Sequence, residues 1–134
     1  MDRLTTLLDL SERALLRLQE ALSLTTPPPL QRDGAIQRFE YSFEITWKAC
    51  QRTLAVTEGL HCASPKACLR AAAATGQLGA ERVVEALGMC DDRNMTSHTY
   101  NEGVAELIHE RLPAHAALMA ELVAAMRARV PVGV

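Results

Sequence analysis

Three observations predict an all-α fold, an antiparallel up-and-down bundle of four to five helices. Apolar residues recur at three- and four-residue steps along most of the chain, the signature of one buried helix face. Aromatic residues make up only 4% of the sequence while alanine and leucine dominate, which suits helices better than sheets. Proline and glycine fall mostly between the periodic stretches, so the connections are short and neighbouring helices run antiparallel. At 134 residues the chain suits one domain with its own core, expected over residues 1–130, with 131–134 a frayed tail.

The first helix is predicted over residues 2–24, with Leu4, Leu8, Leu15, Leu18 and Leu22 on one face. Thr25 to Pro29 stops it, because consecutive prolines lack amide donors and favour an extended backbone. A second helix is predicted over 33–58. Asp33 is its expected N-cap, Ile36, Phe39, Phe43, Trp47, Cys50 and Leu54 its buried stripe, and Gly59 its left-handed stop. Glu44 and Lys48, one turn apart, are expected to pair along it. Ser64-Pro65 reads as the cap and first residue of a short third helix that ends at Gly76 and Gly79. A fourth helix is predicted over 80–93, with Val83, Val84, Leu87 and Cys90 inward. The last begins after Tyr100, with Thr99 and Glu102 in capping-box spacing or Ser97 as cap, and Pro113 is expected to kink or split it. Leu107, Ile108, Leu112, Leu118 and Met119 belong to its apolar face. Those faces are wide for so small a bundle, which suggests a dimer.

Several function classes drop out. A net charge of −2 offers no bulk attraction for nucleic acid. The apolar runs are too short to span a bilayer, and no basic region followed by an apolar run opens the chain, so a cytoplasmic protein with free thiols is expected. The four cysteines, at 50, 62, 68 and 90, contain no C-x2-C pair, so neither a metal nor a cofactor is expected. His109 and His115 read as surface or boundary residues, and Glu40 with Glu44 as a solvated or partner-facing helix edge. No phosphate loop or nucleophile elbow is present.

What remains is the segment Asp92-Arg93-Asn94-Met95-Thr96-Ser97-His98-Thr99-Tyr100-Asn101-Glu102 between the last two helices. Arg93 and His98 have the spacing R-x4-H, and Tyr100 lies two residues further on. A guanidinium offers a planar fork of donors for phosphate, and an imidazole exchanges protons near neutral pH. Together they suit a phosphodiester and the proton of a ribose hydroxyl, with no metal. On spacing alone the plain structural alternative is the more common one: Arg93 capping helix-end carbonyls, His98 bonded in a turn, Tyr100 a core ring with a wet hydroxyl.

Taken together, Arg38 to Lys48 (RFEYSFEITWK), Ser64-Pro65-Lys66 and Asp92 to Glu102 resemble the nucleotidyltransferase substrate-binding family of the HEPN superfamily, which includes HepT-like toxins. The resemblance runs from about residue 3 to residue 127. It implies a dimerising helical bundle and a partner, a minimal nucleotidyltransferase acting as antitoxin. It further implies a metal-independent ribonuclease in which Arg93 binds phosphate and His98 is the acid or base. Tyr100 would be the residue adenylylated by the partner, with Asn94 and Asp92 supporting the site and two motifs meeting across the dimer. The alternative is a non-catalytic subunit that binds substrate, RNA or nucleotide, for the nucleotidyltransferase.

Overall fold

The computed structural model describes residues 3–130. Among these there are five α-helices, two single-turn 3-10 segments and no strand. The helices are α1 (Arg3–Ala21), α2 (Pro29–Glu58), α3 (Pro65–Ala74), α4 (Val83–Met95) and α5 (Glu102–Arg129); the 3-10 turns are Ala80–Arg82 and Thr96–His98. The expected tail at 131–134 lies outside the described residues.

The three helices α1, α2 and α5 pack on one another, and the shorter pair α3 and α4 closes the remaining side against α2 and α5. Leu4, Leu8, Leu15 and Leu18 of α1 meet Ile36, Phe39, Phe43 and Leu54 of α2 and Ile108, Leu112, Leu118 and Met119 of α5 in one core. Three small polar residues enter it at little cost because their hydroxyls return to their own helices, whereas the buried Thr46 hydroxyl has no partner among the described residues. Ser11, Ser42 and Thr53 donate to the carbonyls of Leu7, Arg38 and Ala49, each at 2.8 Å. Trp47 is only partly buried at the core edge.

Helix boundaries follow local chemistry with some corrections. The start of α2 lies at Pro29, not at 33, because proline at the first helical position has its backbone preset and loses no bond. Asp33 is therefore inside the helix and pairs with Arg32 at 3.0 Å instead of capping. Gly59 ends α2 in the left-handed conformation (φ 67°), its amide returning to the Leu54 carbonyl. Ser64 caps α3 by accepting from the Ala67 amide at 3.2 Å. In α4 the inward residues are Ala86, Met89 and Cys90, whereas Val84 is 82% exposed. Cys90 is inward as expected and Val83 and Leu87 are partly buried, so Val84 is the one expected inward residue that faces out. Pro113 does not split α5, which runs unbroken to Arg129. The proline is exposed, so the carbonyl it leaves unpaired can be hydrated. Leu107 is also exposed rather than buried.

Arginines fasten the ends of the bundle. Arg129 reaches from the end of α5 to Glu58 (3.1 Å) and to the Thr75 carbonyl (2.6 Å), tying down the termini of α2 and α3. Arg32 holds Glu102 with both terminal nitrogens, at 2.7 and 3.3 Å, so the start of α2 grips the start of α5.

Candidate functional site

The segment from Asp92 to Glu102 is a tight turn built by its own hydroxyls. Thr96 Oγ1 donates to the Arg93 carbonyl at 2.6 Å, Ser97 Oγ to Asn94 at 3.0 Å, and Thr99 Oγ1 to Thr96 at 3.2 Å. Three consecutive three-residue returns tighten the last turn of α4 into the 3-10 segment. Asn101 then caps α5, its Oδ1 accepting from the Val104 amide at 3.2 Å. This replaces the expected capping box. Thr99 still belongs to the preceding turn, and the Glu102 carboxylate is held by Arg32 rather than folding back. That pairing with Arg32 keeps the Glu102 carboxyl below its usual range.

On this turn the candidate residues separate into three environments. His98 and Tyr100 stand out in solvent and touch each other. His98 Nδ1 lies 3.3 Å from the Tyr100 hydroxyl, and the rings meet edge to face at 5.9 Å. Tyr100 is 83% exposed, so the core-ring reading fails.

Arg93 turns the other way, toward α2. Its Nη1 donates to Thr96 Oγ1 at 3.0 Å and lies 3.9 Å from Glu40, and its Nε lies 3.3 Å from Glu44 Oε1. The Nε–H is not aimed at that oxygen, so the contact is an ion pair rather than a hydrogen bond and leaves one buried donor free. Glu44 is steadied by the Trp47 indole at 3.3 Å and faces Arg93 instead of Lys48. No hydrogen bond or ion pair joins Arg93 to His98 among the described residues.

Asp92 is buried and faces the opposite side of α4. Its carboxylate takes Arg111 at 2.8 Å and His115 Nε2 at 2.6 Å, and Phe39 stacks on the His115 ring at 5.3 Å. His115 is therefore an interior residue, contrary to the sequence expectation. Its partner Asp92 is a brace between α4 and α5. Asn94 is exposed and lines a cavity of about 180 Å3 with Phe43, Ser64, Lys66 and Cys90, and Lys66 pairs with Asp91 at 2.7 Å.

The three sequence segments that lie far apart in the chain thus assemble around the end of α4. Glu40 and Glu44 come from the first, Lys66 from the second, and Arg93 to Tyr100 from the third. Sequence reasoning missed the role of the two glutamates, although their one-turn spacing, which puts them on one face of α2, was the available signal. In electrostatic terms Arg93 and Lys66 face three carboxylates, so the turn is no open cationic trap. Among the described residues no group of three or more His, Cys, Asp or Glu side chains is arranged to hold a metal ion. No helix there is long and apolar enough to cross a membrane.

Residues 7–128 match the family described as "Nucleotidyltransferase substrate binding protein like". A crystal structure of a Thermus thermophilus protein superposes with a TM-score of 0.85 at 50% identity, covering 87% of this chain and 98% of that one. A Haemophilus influenzae protein, described as revealing the fold of a substrate binding domain of a nucleotidyltransferase, superposes with a TM-score of 0.74 at 24% identity. That comparison covers 90% of this chain and 98% of the other, and at this identity it speaks to the fold. No curated protein matches the sequence. With the family match spanning nearly all of the described bundle, the chain belongs to the nucleotidyltransferase substrate-binding family.

Proposed function

We propose that this chain is the HEPN-type partner subunit of a separate nucleotidyltransferase and that it offers Tyr100 as an acceptor of the nucleotidyl group. One observation carries the reading: a phenol 83% exposed, 3.3 Å from an imidazole nitrogen, on a turn braced at both ends. An aromatic ring left in water with no apolar cover from its own chain is available to a partner.

The chemistry balances with the Tyr100 and His98 side chains of this turn. The Tyr100 oxygen attacks the α-phosphorus of a nucleoside triphosphate bound to the nucleotidyltransferase. An O–P bond forms, the bond to the β-phosphate oxygen breaks, and pyrophosphate leaves. The phenolic proton passes to His98 Nδ1, which requires the neutral ring with its hydrogen on Nε2. Arg93, half-buried one turn earlier, positions the turn through Thr96.

A second reading is a toxin-like, metal-independent ribonuclease in which Arg93 and His98 cut RNA and adenylate on Tyr100 is the off-switch. It is favoured by the exposure of His98 and by the contact that would put a modified Tyr100 against that ring. Electrostatics weigh against it within one chain. Glu40 and Glu44 already offset the guanidinium charge, so an RNA phosphate must displace them or meet a second cation from another copy.

Both are tested by co-expression with the cognate nucleotidyltransferase. The acceptor reading expects a mass gain of one nucleotidyl group on the wild type and none on Tyr100→Phe; an unmodified wild type refutes it. The ribonuclease reading expects RNA degradation and toxicity from the unmodified chain, both abolished by His98→Ala, and it fails if the two proteins behave alike.

A further inference from the structure

We infer that the groove between α1 and α2 is a second anion site, built to hold a nucleoside triphosphate by its phosphates at Arg13, Arg17 and Arg38 and by its base on Tyr41. The site shares no lining residue with the Arg93–Tyr100 turn and does not depend on the reading of that turn.

The first observation is the pairing of charges. Arg32, Arg82, Arg93, Arg111, Arg127 and Arg129 each have a carboxylate within ion-pair distance. Arg3, Arg13, Arg17, Arg38, Arg52 and Arg70 have none among the described residues, and of these Arg13, Arg17 and Arg38 line one groove. Arg13 and Arg17 are one turn apart on α1. Arg38 crosses from α2, where its Nη1 donates to the Arg17 carbonyl at 3.4 Å. That bond leans the Arg38 guanidinium over α1 and leaves its other donors free. Three unpaired cations from two helices repel one another, a standing cost that an anion relieves. Guanidinium forks suit phosphate oxygens better than any other side chain does.

The second observation is the shape. A groove of about 570 Å3 is lined by all three arginines together with Leu10, Gly34 and Tyr41. A second hollow of about 490 Å3 is lined by the same arginines with Leu16 and Glu20. The two meet at the arginines, so a ligand can place phosphates there and an apolar body over Leu10 and Tyr41. The volume is that of a small-molecule site. Tyr41 is 60% exposed, giving a ring face for a base. Gly34 is on the floor, and a Cβ there would meet nothing within 4 Å. A mid-helix glycine costs about 1 kcal/mol relative to alanine, and here its absent side chain keeps the floor open. Glu20 lines the outer hollow without forming an ion pair with any of the three arginines. Convergence of the cations on one place, rather than a line of them, favours a triphosphate over an extended nucleic-acid strand.

The test is titration of the full chain at low salt with ATP, with tripolyphosphate, and with a short oligoadenylate. Saturable ATP binding is expected, weakened at least tenfold by the paired Arg13→Gln and Arg17→Gln substitutions. Tyr41→Ala should weaken ATP several-fold and leave tripolyphosphate unchanged. Gly34→Leu fills the floor without burying charge and should abolish ATP binding while leaving the thermal transition at least as high. Arg70→Gln removes an exposed, unpaired charge elsewhere and should change nothing. The inference is overturned by an absence of saturable ATP binding, by oligoadenylate binding alone, or by Arg70→Gln acting as strongly as the groove variants. Should the paired arginine variant fail to fold, Gly34→Leu decides: full ATP affinity in that protein overturns the inference equally.

Discussion

Asp92 and Arg93 are neighbours in the sequence and opposites in the structure. Asp92 is sealed between α4 and α5 with Arg111, His115 and the Phe39 ring around it. Arg93 begins an open region that runs through His98 to a nearly bare Tyr100. A step of one residue turns the helix by about 100°, enough to move a side chain from the interior to the rim. The difference shows how one sequence motif can be half buried brace and half exposed surface. The carboxylate immobilises α4 against α5, and that rigidity is what lets an exposed turn hold a fixed shape.

The comparison predicts a steep contrast in stability. Asp92→Ala leaves His115 and Arg111 without their shared acceptor and should cost about 3 kcal/mol, since breaking a buried ionic pair from one side costs far more than the pair contributes. Arg93→Ala removes only half-exposed ion pairs and should cost no more than about 1 kcal/mol. Urea denaturation of both variants measures the two; equal losses would erase the distinction between brace and surface. For scale, Leu118→Ala in the shared core should lose about 3 kcal/mol.

A smaller effect separates the turn's anchor from its exposed face. Glu102 is held by Arg32, and that contact lowers its carboxyl below the usual range. Its folded-state value thus lies below its unfolded one, so the contribution is complete above the ordinary carboxylate value of about 4.3 and is lost as pH falls through the folded value. The gap in melting temperature between wild type and Glu102→Gln should be present at pH 7 and close on acidification through that window. A gap that stays constant with pH would mean that the Arg32–Glu102 contact carries no charge-linked stability. Tyr100→Phe should leave the melting temperature within about 1 °C, as for any exposed hydroxyl.

The smallest prediction concerns the thiols beside this region. Burial pushes Cys50 up to about 12 and Cys90 up to about 11, and Cys68 is also raised by burial. Cys62 is only partly buried. Alkylation of the native protein at pH 8 should therefore label Cys62 first, with the other three reacting only as the bundle unfolds. Labelling of Cys90 at the same rate as Cys62 would indicate that the α3–α4 side opens far more readily than the core.

The helices and most of the core were legible because their signals are local. The leucine repeat of α1, the Phe39–Leu54 stripe, Ser64-Pro65 and Gly59 act over one or two turns. What was not legible depended on tertiary partners. Asp33 loses its capping role because Pro29 starts the helix earlier. Thr99 loses its own because Asn101 is better placed. His115 is drawn inward by Asp92, which lies 23 residues before it. At the site, the R-x4-H-x-Y spacing suggested that Arg93, His98 and Tyr100 come together; His98 meets Tyr100, while Arg93 turns toward α2. The engagement of Arg93 by Glu40 and Glu44 did not follow from spacing, because an i,i+4 carboxylate pair on a helix reads the same whether water or an arginine faces it.

Peptide-resolved mass spectrometry of the chain co-expressed with its nucleotidyltransferase decides whether Tyr100 is the acceptor. The sequence has two tyrosines, both exposed, so the assay has an internal control. A nucleotidyl group is expected on the peptide carrying Tyr100, sharply reduced in His98→Ala and absent from the peptide carrying Tyr41. Modification of Tyr41, or of neither tyrosine while the two proteins form a stable complex, would contradict it.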